Sequence, residues 1–335
     1  MDLITGATGH IGNVLTRQLI NQGKRVRALV LPGEDLTPIK DLDVEVVEGD
    51  VLDAQTLASA FQGIENVYHL AGIISIMPGN DALLKLVNIL GTRNIIHAAR
   101  TSGVRRLVYT SSIHAIRRIP LGTTIDESIP FDPQHAISSY DQSKAQASLE
   151  VLHAAQAGLD AVIVCPTGVI GPYDYRRSEI GQIFLGCVQK KPQFYIDGAY
   201  DFVDVRDVAL GLIAAGEKGS KAETYILSGE QVSVRRMLET IWKYTGKRLP
   251  ALRIPLRLAR FFTIFTPFYY RLFRVKPRLT PYSLDTLLSN CQISHDKAQR
   301  ELGYKPRPFT ETVADTVRWF AENMHLFQRS THPVR

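Results

Sequence analysis

Cysteine is scarce in this chain. Cys165, Cys187 and Cys291 are the only three among 335 residues, scattered and odd in number. They show neither metal-ligand nor disulfide spacing, so no metal site is expected and a reducing, cytoplasmic compartment is the default. Long apolar runs are missing too: none reaches the roughly 20 residues of a membrane span. The N-terminus, MDLITGATGH, lacks a basic stretch followed by an apolar core, so it reads as a strand entering a glycine turn and not as a signal peptide. Acids are absent from 247–278, where Lys247, Arg248, Arg253, Arg257, Arg260, Arg271, Arg274, Lys276 and Arg278 carry much of the net charge of +6. Nucleic acid or an anionic membrane surface could use such a stretch. A helical subdomain with a solvated basic face is the favoured reading. No nucleic-acid partner is therefore expected, and peripheral membrane contact is the lesser alternative.

What is present is an ordinary globular composition, 45% hydrophobic and 21% charged, on a chain longer than one core usually needs. Short β-rich runs at 2–5, 25–30, 44–47, 66–70, 106–111 and 161–165 alternate with helical patterns near 11–22, 54–61, 82–102 and 139–157. Such alternation implies right-handed βαβ units and a doubly wound parallel sheet. After Pro166 a loop rich in Gly, Pro and Tyr precedes a helix near 178–190. Residues 202–227 return to α/β character, and the chain beyond about 230 reads as mostly helical. The expected organisation is a dinucleotide-binding α/β unit from 1–165 plus about 200–228. A smaller, mainly helical substrate region would come from about 166–199 plus 229–335.

The first strand runs into ITGATGHIG. Gly6, Gly9 and Gly12 stand at G-x-x-G-x-x-G spacing, where the strand passes into a helix. Glycines here allow a tight turn, let backbone approach a pyrophosphate, and let helix pack on strand. The helix N-terminus then offers N–H groups and partial positive charge to phosphates. Tyr140 and Lys144, in SSYDQSKAQAS, stand four apart, a pattern frequent by chance.

TGATGHIG, EGDVLD, YHLAG, NILGTRNIIHAA, VYTSS, YDQSK, CPTGVIGP and FVDVRDVA, in that order, resemble the landmarks of the extended short-chain dehydrogenases/reductases. The resemblance covers nearly the whole chain and is most specific over 3–210. It implies a Rossmann fold, an NAD or NADP cofactor, a homodimer built on the helices near 82–102 and 139–157, and a catalytic set of Ser112, Tyr140, Lys144 and Asn88. Ser111 is the neighbouring candidate for the catalytic hydroxyl. The implied cofactor contacts are Gly6, Thr8, Gly9, His10, Ile11, Gly12, Leu31, Asp50, Val51, Leu70, Ala71, Gly72, Pro166 and Val169, together with Tyr140 and Lys144. A phenol with a reference pKa of about 10 is a poor base near neutrality. The lysine one turn away is expected to favour the phenolate and lower that value, so that Tyr140 can pass a proton to or from a reacting oxygen.

The end of the second strand, VRALVLPGEDL, places Val30 where an acid marks NAD and Leu31 where an arginine marks NADP, and the missing cation favours NAD. Tyr200, in AYDFVDVRDVA, stands where nucleotide-sugar epimerases and dehydratases carry an arginine. CPTGVIGP looks more like the loop of dihydroflavonol reductases and 3β-hydroxysteroid dehydrogenases. The expected activity is NAD(P)-dependent interconversion of a carbonyl and a hydroxyl on a small apolar molecule, with a nucleotide-sugar epimerase or dehydratase as the alternative. Phe261, Phe262, Phe265, Phe268, Tyr269 and Tyr270 are candidates for core, for an apolar ligand wall or for a membrane-facing surface. His114 is left outside the catalytic set, and Cys165 is read as packing.

Overall fold

The computed structural model describes residues 1–74, 81–248, 250–264 and 280–328. Phe265, Phe268, Tyr269 and Tyr270 lie outside the described residues. Twelve short strands are described: β1 (Asp2–Thr5), β2 (Val26–Val30), β3 (Glu45–Glu48), β4 (Asn66–His69), β5 (Arg106–Thr110), β6 (Ala161–Pro166), β7 (Gly168–Ile170), β8 (Gln193–Tyr195), β9 (Ala199–Asp204), β10 (Thr224–Leu227), β11 (Glu230–Ser233) and β12 (Ala251–Arg253). Seven form one sheet in the order β10-β6-β5-β4-β1-β2-β3. All its pairings are parallel. Strand order reverses between β1 and β4, which makes the carboxyl edge there the natural crevice of a doubly wound sheet.

Side-chain alternation sends successive residues of these strands to opposite faces. On one face Leu107, Tyr109, Ile163 and Cys165 pack with Ile95, Ala99, Ala147 and Val151. On the other, Ile4, Ala28, Val108 and Val164 pack with Val14, Leu15, Val208 and Leu212. Both faces are covered, so the strands read as continuous apolar runs, as parallel sheets require. Besides α2 (Ala54–Ala60), α3 (Asp81–Leu84) and α6 (Glu179–Val188), the chain forms the helices that supply those residues, α1 (His10–Asn21), α4 (Gly91–Thr101), α5 (Ser139–Gln156) and α7 (Val205–Lys218). The last of these lies against α1 in the second cluster.

The sequence predicts one helix over 82–102. The chain instead forms α3, a π-helical stretch over Lys85–Leu90, and then α4. A widened turn of this kind often accompanies a functional site, and apolar spacing alone does not reveal it. The part expected to be mostly helical also holds strands. β7, β9 and β11 form a second sheet, and β8 pairs with β12. Runs of three to six residues are too short for period-two alternation to announce them. A separate core of Phe184, Leu185, Phe202, Val232, Met237, Ile241, Phe309, Val313 and Phe320 joins these strands to the helices after them. No helix among the described residues is long and apolar enough to cross a membrane.

The first strand–helix junction is closed by direct backbone contact. A Cβ on Gly12 would stand 2.0 Å from the Gly6 carbonyl oxygen, and one on Gly6, at φ +73°, would stand 2.8 Å from the Ala71 nitrogen. Gly9 meets only the Gly6 oxygen, at 3.2 Å. Gly12→Ala should therefore destabilise the fold by about 3 kcal/mol through overpacking. Gly9→Ala should melt near wild type. Equal melting temperatures for the two substitutions, measured by calorimetry, would contradict this packing.

Candidate active site

Helix α5 begins at Ser138, whose hydroxyl accepts the Asp141 N–H at 3.0 Å. The cap fixes Tyr140 and Lys144 in the opening turns, on one side of the helix. Both are buried. A 3₁₀ turn over Ile113–Ala115 follows β5 and starts at Ser112, whose hydroxyl accepts the His114 N–H at 3.2 Å and lies close enough to Tyr140 to favour its phenolate. Ser111 turns the other way and shares a 2.6 Å hydrogen bond with Ser148 on α5. Alternation along the strand thus gives one serine to the packing of α5 and the other to the tyrosine.

Lys144 Nζ donates to the Thr110 carbonyl at 2.7 Å and lies 4.7 Å from the Tyr109 ring centroid. Burial pushes this ammonium down to about 8. Burial also pushes the Tyr140 phenol up to about 12, with the Ser112 hydrogen bond pulling the other way and the Asp141 charge adding to the rise. This corrects the expectation of a lowered phenol. Lys144 is engaged by Thr110 and Tyr109, and desolvation outweighs any help from its charge. Tyr140 is therefore a proton donor at neutral pH in this structure.

Asn88 sits in the π-helical stretch, almost fully buried. Its Oδ1 accepts the Ile73 N–H at 2.8 Å, and its Nδ2 donates to the Ile73 carbonyl at 3.0 Å and to Ser143 Oγ at 2.9 Å. A second chain of bonds runs beneath it. The Ala71 N–H donates to Thr5 Oγ1 at 3.0 Å, which leaves the Thr5 hydroxyl to donate to His69 Nδ1 at 2.7 Å. His69 Nε2 then meets Thr92 Oγ1 at 3.1 Å, and Thr92 donates to the Asn88 carbonyl at 2.7 Å. Burial pushes His69 down to about 3, so the ring is neutral and its proton belongs on Nε2.

The other predicted residues lie along the carboxyl edge of the sheet. Gly6 to Gly12 follow β1, Leu31 follows β2, and Asp50 and Val51 follow β3. Leu70, Ala71 and Gly72 follow β4, Pro166 ends β6 and Val169 lies in β7. Asp50 Oδ1 accepts the Leu52 N–H at 2.9 Å, and Val51 packs under Gly91. His10 Nε2 reaches the Pro172 carbonyl at 3.0 Å. Gly9 caps α1 with no side-chain hydrogen bond, so the first-turn N–H groups have no side-chain acceptor from the cap. A phosphate-bearing dinucleotide fits this donor set, and the glycine turn leaves room for its backbone approach.

Four features escaped the sequence reading. Glu34, past the end of β2, receives the Thr8 hydroxyl at 2.6 Å and the Leu31 N–H at 2.9 Å. Arg176, from the loop after β7, donates to Thr8 Oγ1 at 2.7 Å and pairs with Glu34. Tyr200 Oη and His114 Nε2 share a 2.7 Å hydrogen bond, with the rings stacked at 5.9 Å. Tyr282 donates to buried Asp141 at 2.6 Å, and Arg118 approaches the same carboxylate at 3.8 Å. His114 and Tyr200 each stood out in the sequence, but not their bond, because the partners are distant in the chain. Cys165 is buried, and burial pushes its thiol up to about 12, which suits inert packing. Among the described residues no cluster could hold a metal ion.

The family model for the NAD dependent epimerase/dehydratase family matches residues 3–228. A protein from Methylococcus capsulatus named sterol demethylase protein B is 36% identical over 96% of this chain and 98% of its own length. A putative dihydroflavonol 4-reductase from Synechocystis is 34% identical, over 96% and 95%. Among solved structures, the crystal structure of gox2253 superposes with a TM-score of 0.84 at 33% identity, covering 96% of this chain and 98% of that one.

Lys144 carries a stability cost whose sign is fixed by its depressed value. Below about 8 the folded state holds a buried ammonium, and between there and the reference 10.5 the unfolded chain binds the extra proton. Wild-type stability should therefore rise over that window. Lys144→Met should be more stable at pH 7, by up to about 3 kcal/mol, with the gain vanishing near pH 10.5. Denaturant melts across that range test this, and a Met variant less stable at every pH would refute it.

Proposed function

The chain belongs to the NAD dependent epimerase/dehydratase family and is an NAD(P)-dependent enzyme of the extended short-chain dehydrogenase/reductase type; on that premise we propose that it interconverts a carbonyl and a hydroxyl on a small apolar molecule, with Tyr140 as the acid and base. A nicotinamide dinucleotide supplies the hydride donor or acceptor. The observation that carries the reading is the convergence of Ser112, Tyr140 and Lys144 in one buried place. Ser112 orients the reacting oxygen, and Tyr140 passes the proton to or from it. Lys144, anchored on Thr110, holds the ribose on the nicotinamide side and keeps a positive charge near the phenol. Asn88 fixes the loop at Ile73 against α5 and so positions Lys144's helix.

The apolar substrate rests on the wall beside Tyr140. Tyr200 is buried against His114 and touches Phe202 edge-on, 5.7 Å between ring centroids, so the position offers rings in place of a guanidinium fork. Arg206, which could have met a diphosphate, is held by Asp204 at 2.7 Å and Asp315 at 2.8 Å. The sterol and dihydroflavonol in the names of the two relatives point the same way. Nucleotide-sugar chemistry is the second reading, favoured by the family description.

A homodimer fits the surface. Leu83, Leu86 and Leu90 are 46%, 46% and 40% exposed on the helical segment before and into α4, a row that the chain's own sheet leaves uncovered. On α5, the second helix expected in the interface, Ala147 is fully buried against the sheet. The dinucleotide unit is proposed as 1–165 with about 200–228, and the rest as the substrate region.

Tyr140→Phe should bind the dinucleotide normally and lose about 10²–10⁴-fold in turnover of the ketone or alcohol that a substrate panel identifies. Near-wild-type turnover in the purified variant removes Tyr140 from the mechanism. Calorimetry comparing a steroid or flavonoid ketone with a uridine diphosphate sugar should favour the ketone; the reverse order makes the epimerase reading the better one. Light scattering at micromolar concentration should give a dimer mass, and Leu86→Glu with Leu90→Glu should give a monomer.

A further inference from the structure

The loop after β7 is built to deliver one cation to the glycine turn. Its backbone takes left-handed conformations at two non-glycine residues, Tyr173 (φ 69°) and Arg177 (φ 54°). The conformation is held from outside. The Pro172 carbonyl meets His10 Nε2 at 3.0 Å, and the Tyr173 carbonyl accepts from Asn13 Nδ2 at 3.2 Å. The Tyr173 ring lies 4.8 Å under the Arg17 guanidinium. Within the loop, buried Asp174 accepts from the Ser178 N–H at 2.9 Å and the Ser178 hydroxyl at 2.7 Å. Arg176 leaves this frame to reach Thr8 and Glu34 together. Strain retained at a pinned loop is the usual mark of a position that matters.

We propose that Glu34 and Arg176 together set the choice of dinucleotide, Glu34 selecting NAD and Arg176 acting as its positioning residue. The proposal rests on the dinucleotide reading of the glycine turn. Glu34 does not occupy the strand-end position where an acid is expected; Val30 does. Its carboxylate is nevertheless carried into the space between the end of β2 and the glycine turn, because it is tied to Leu31 on one side and Thr8 on the other. A ribose entering beside that turn meets a carboxylate with about one acceptor site still open for a hydroxyl, the others being taken by Thr8, Leu31 and Arg176. A 2′-phosphate there finds no free cation, because Arg176 is already spent on Glu34 and Thr8. Arg176 neutralises Glu34 and, while paired, spends its Nη2 on Glu34 and Thr8. Removing the carboxylate leaves the same guanidinium beside the same place, free to take a phosphate in two-pronged fashion. The pair is thus a selector whose sign reverses when one member is lost.

The test is fluorescence titration of NADH and NADPH on wild type, Glu34→Gln, Arg176→Gln and the double variant. Both side chains reach solvent, 18% exposed for Glu34 and 57% for Arg176, so the folds should survive and a melting scan checks it. Wild type should bind NADH about tenfold tighter than NADPH or better. Glu34→Gln should erase or invert that margin, chiefly by gaining NADPH affinity. Adding Arg176→Gln should remove the gain and leave NADH binding at the level of Glu34→Gln. A ratio in Glu34→Gln unchanged from wild type, a wild type that prefers NADPH, or an NADPH gain that survives loss of Arg176 each overturns the proposal. Wild type binding neither nucleotide overturns the dinucleotide reading beneath it, a different result from any of those.

Discussion

The site depends on a buried amide. Asn88 makes three of the four hydrogen bonds open to its amide, to the Ile73 backbone and Ser143, and so ties the loop after β4 to the helix that carries Tyr140 and Lys144. Neither loop nor helix start is held this way by apolar contact alone, since packing is non-directional and leaves register free. A buried amide without partners would cost several kcal/mol, so the three segments are fixed together or not at all. The chain from Ala71 through Thr5, His69 and Thr92 to the Asn88 carbonyl extends that constraint to the end of β1, where the glycine turn begins. The glycine turn and the Tyr140–Lys144 pair are thereby parts of one hydrogen-bonded frame.

Burial then sets the protonation states. The same dry surroundings push Tyr140 up and Lys144 down, against what a simple ion-pair picture anticipates. The phenol keeps its proton and the lysine keeps a value close to physiological pH. Both shifts follow from removing water from charged forms, and both leave the pair responsive to any further charge brought alongside. The cost in stability is that of a functional site, carried by a sheet core with helices on both faces.

Around this frame the chain brings distant segments together. The wall by Tyr140 combines His114 from the turn after β5, Tyr200 from β9 and Tyr282 from the helix Pro281–Leu287. The cofactor edge combines Glu34 from the β2 loop with Arg176 from the β7 loop. In each case residues far apart in the chain meet at the carboxyl edge of the sheet.

The sequence by itself determined the alternating strands and helices, the parallel sheet, the glycine turn and the Tyr140–Lys144 spacing. These are local: period-two and helical patterns, a turn that admits no side chain at Gly12, and two residues one helical turn apart report themselves without knowledge of the rest. Ser112 over Ser111 was half legible, since alternation says they face opposite ways but not which way the helix lies. The tertiary structure alone decided the raised phenol, the partner of Asn88, the His114–Tyr200 bond and the meeting of Glu34 with Arg176 across 142 residues. Those depend on desolvation and on contacts between segments far apart in the chain. Neither quantity is carried by spacing, because each is set only when the segments are brought together and water is removed.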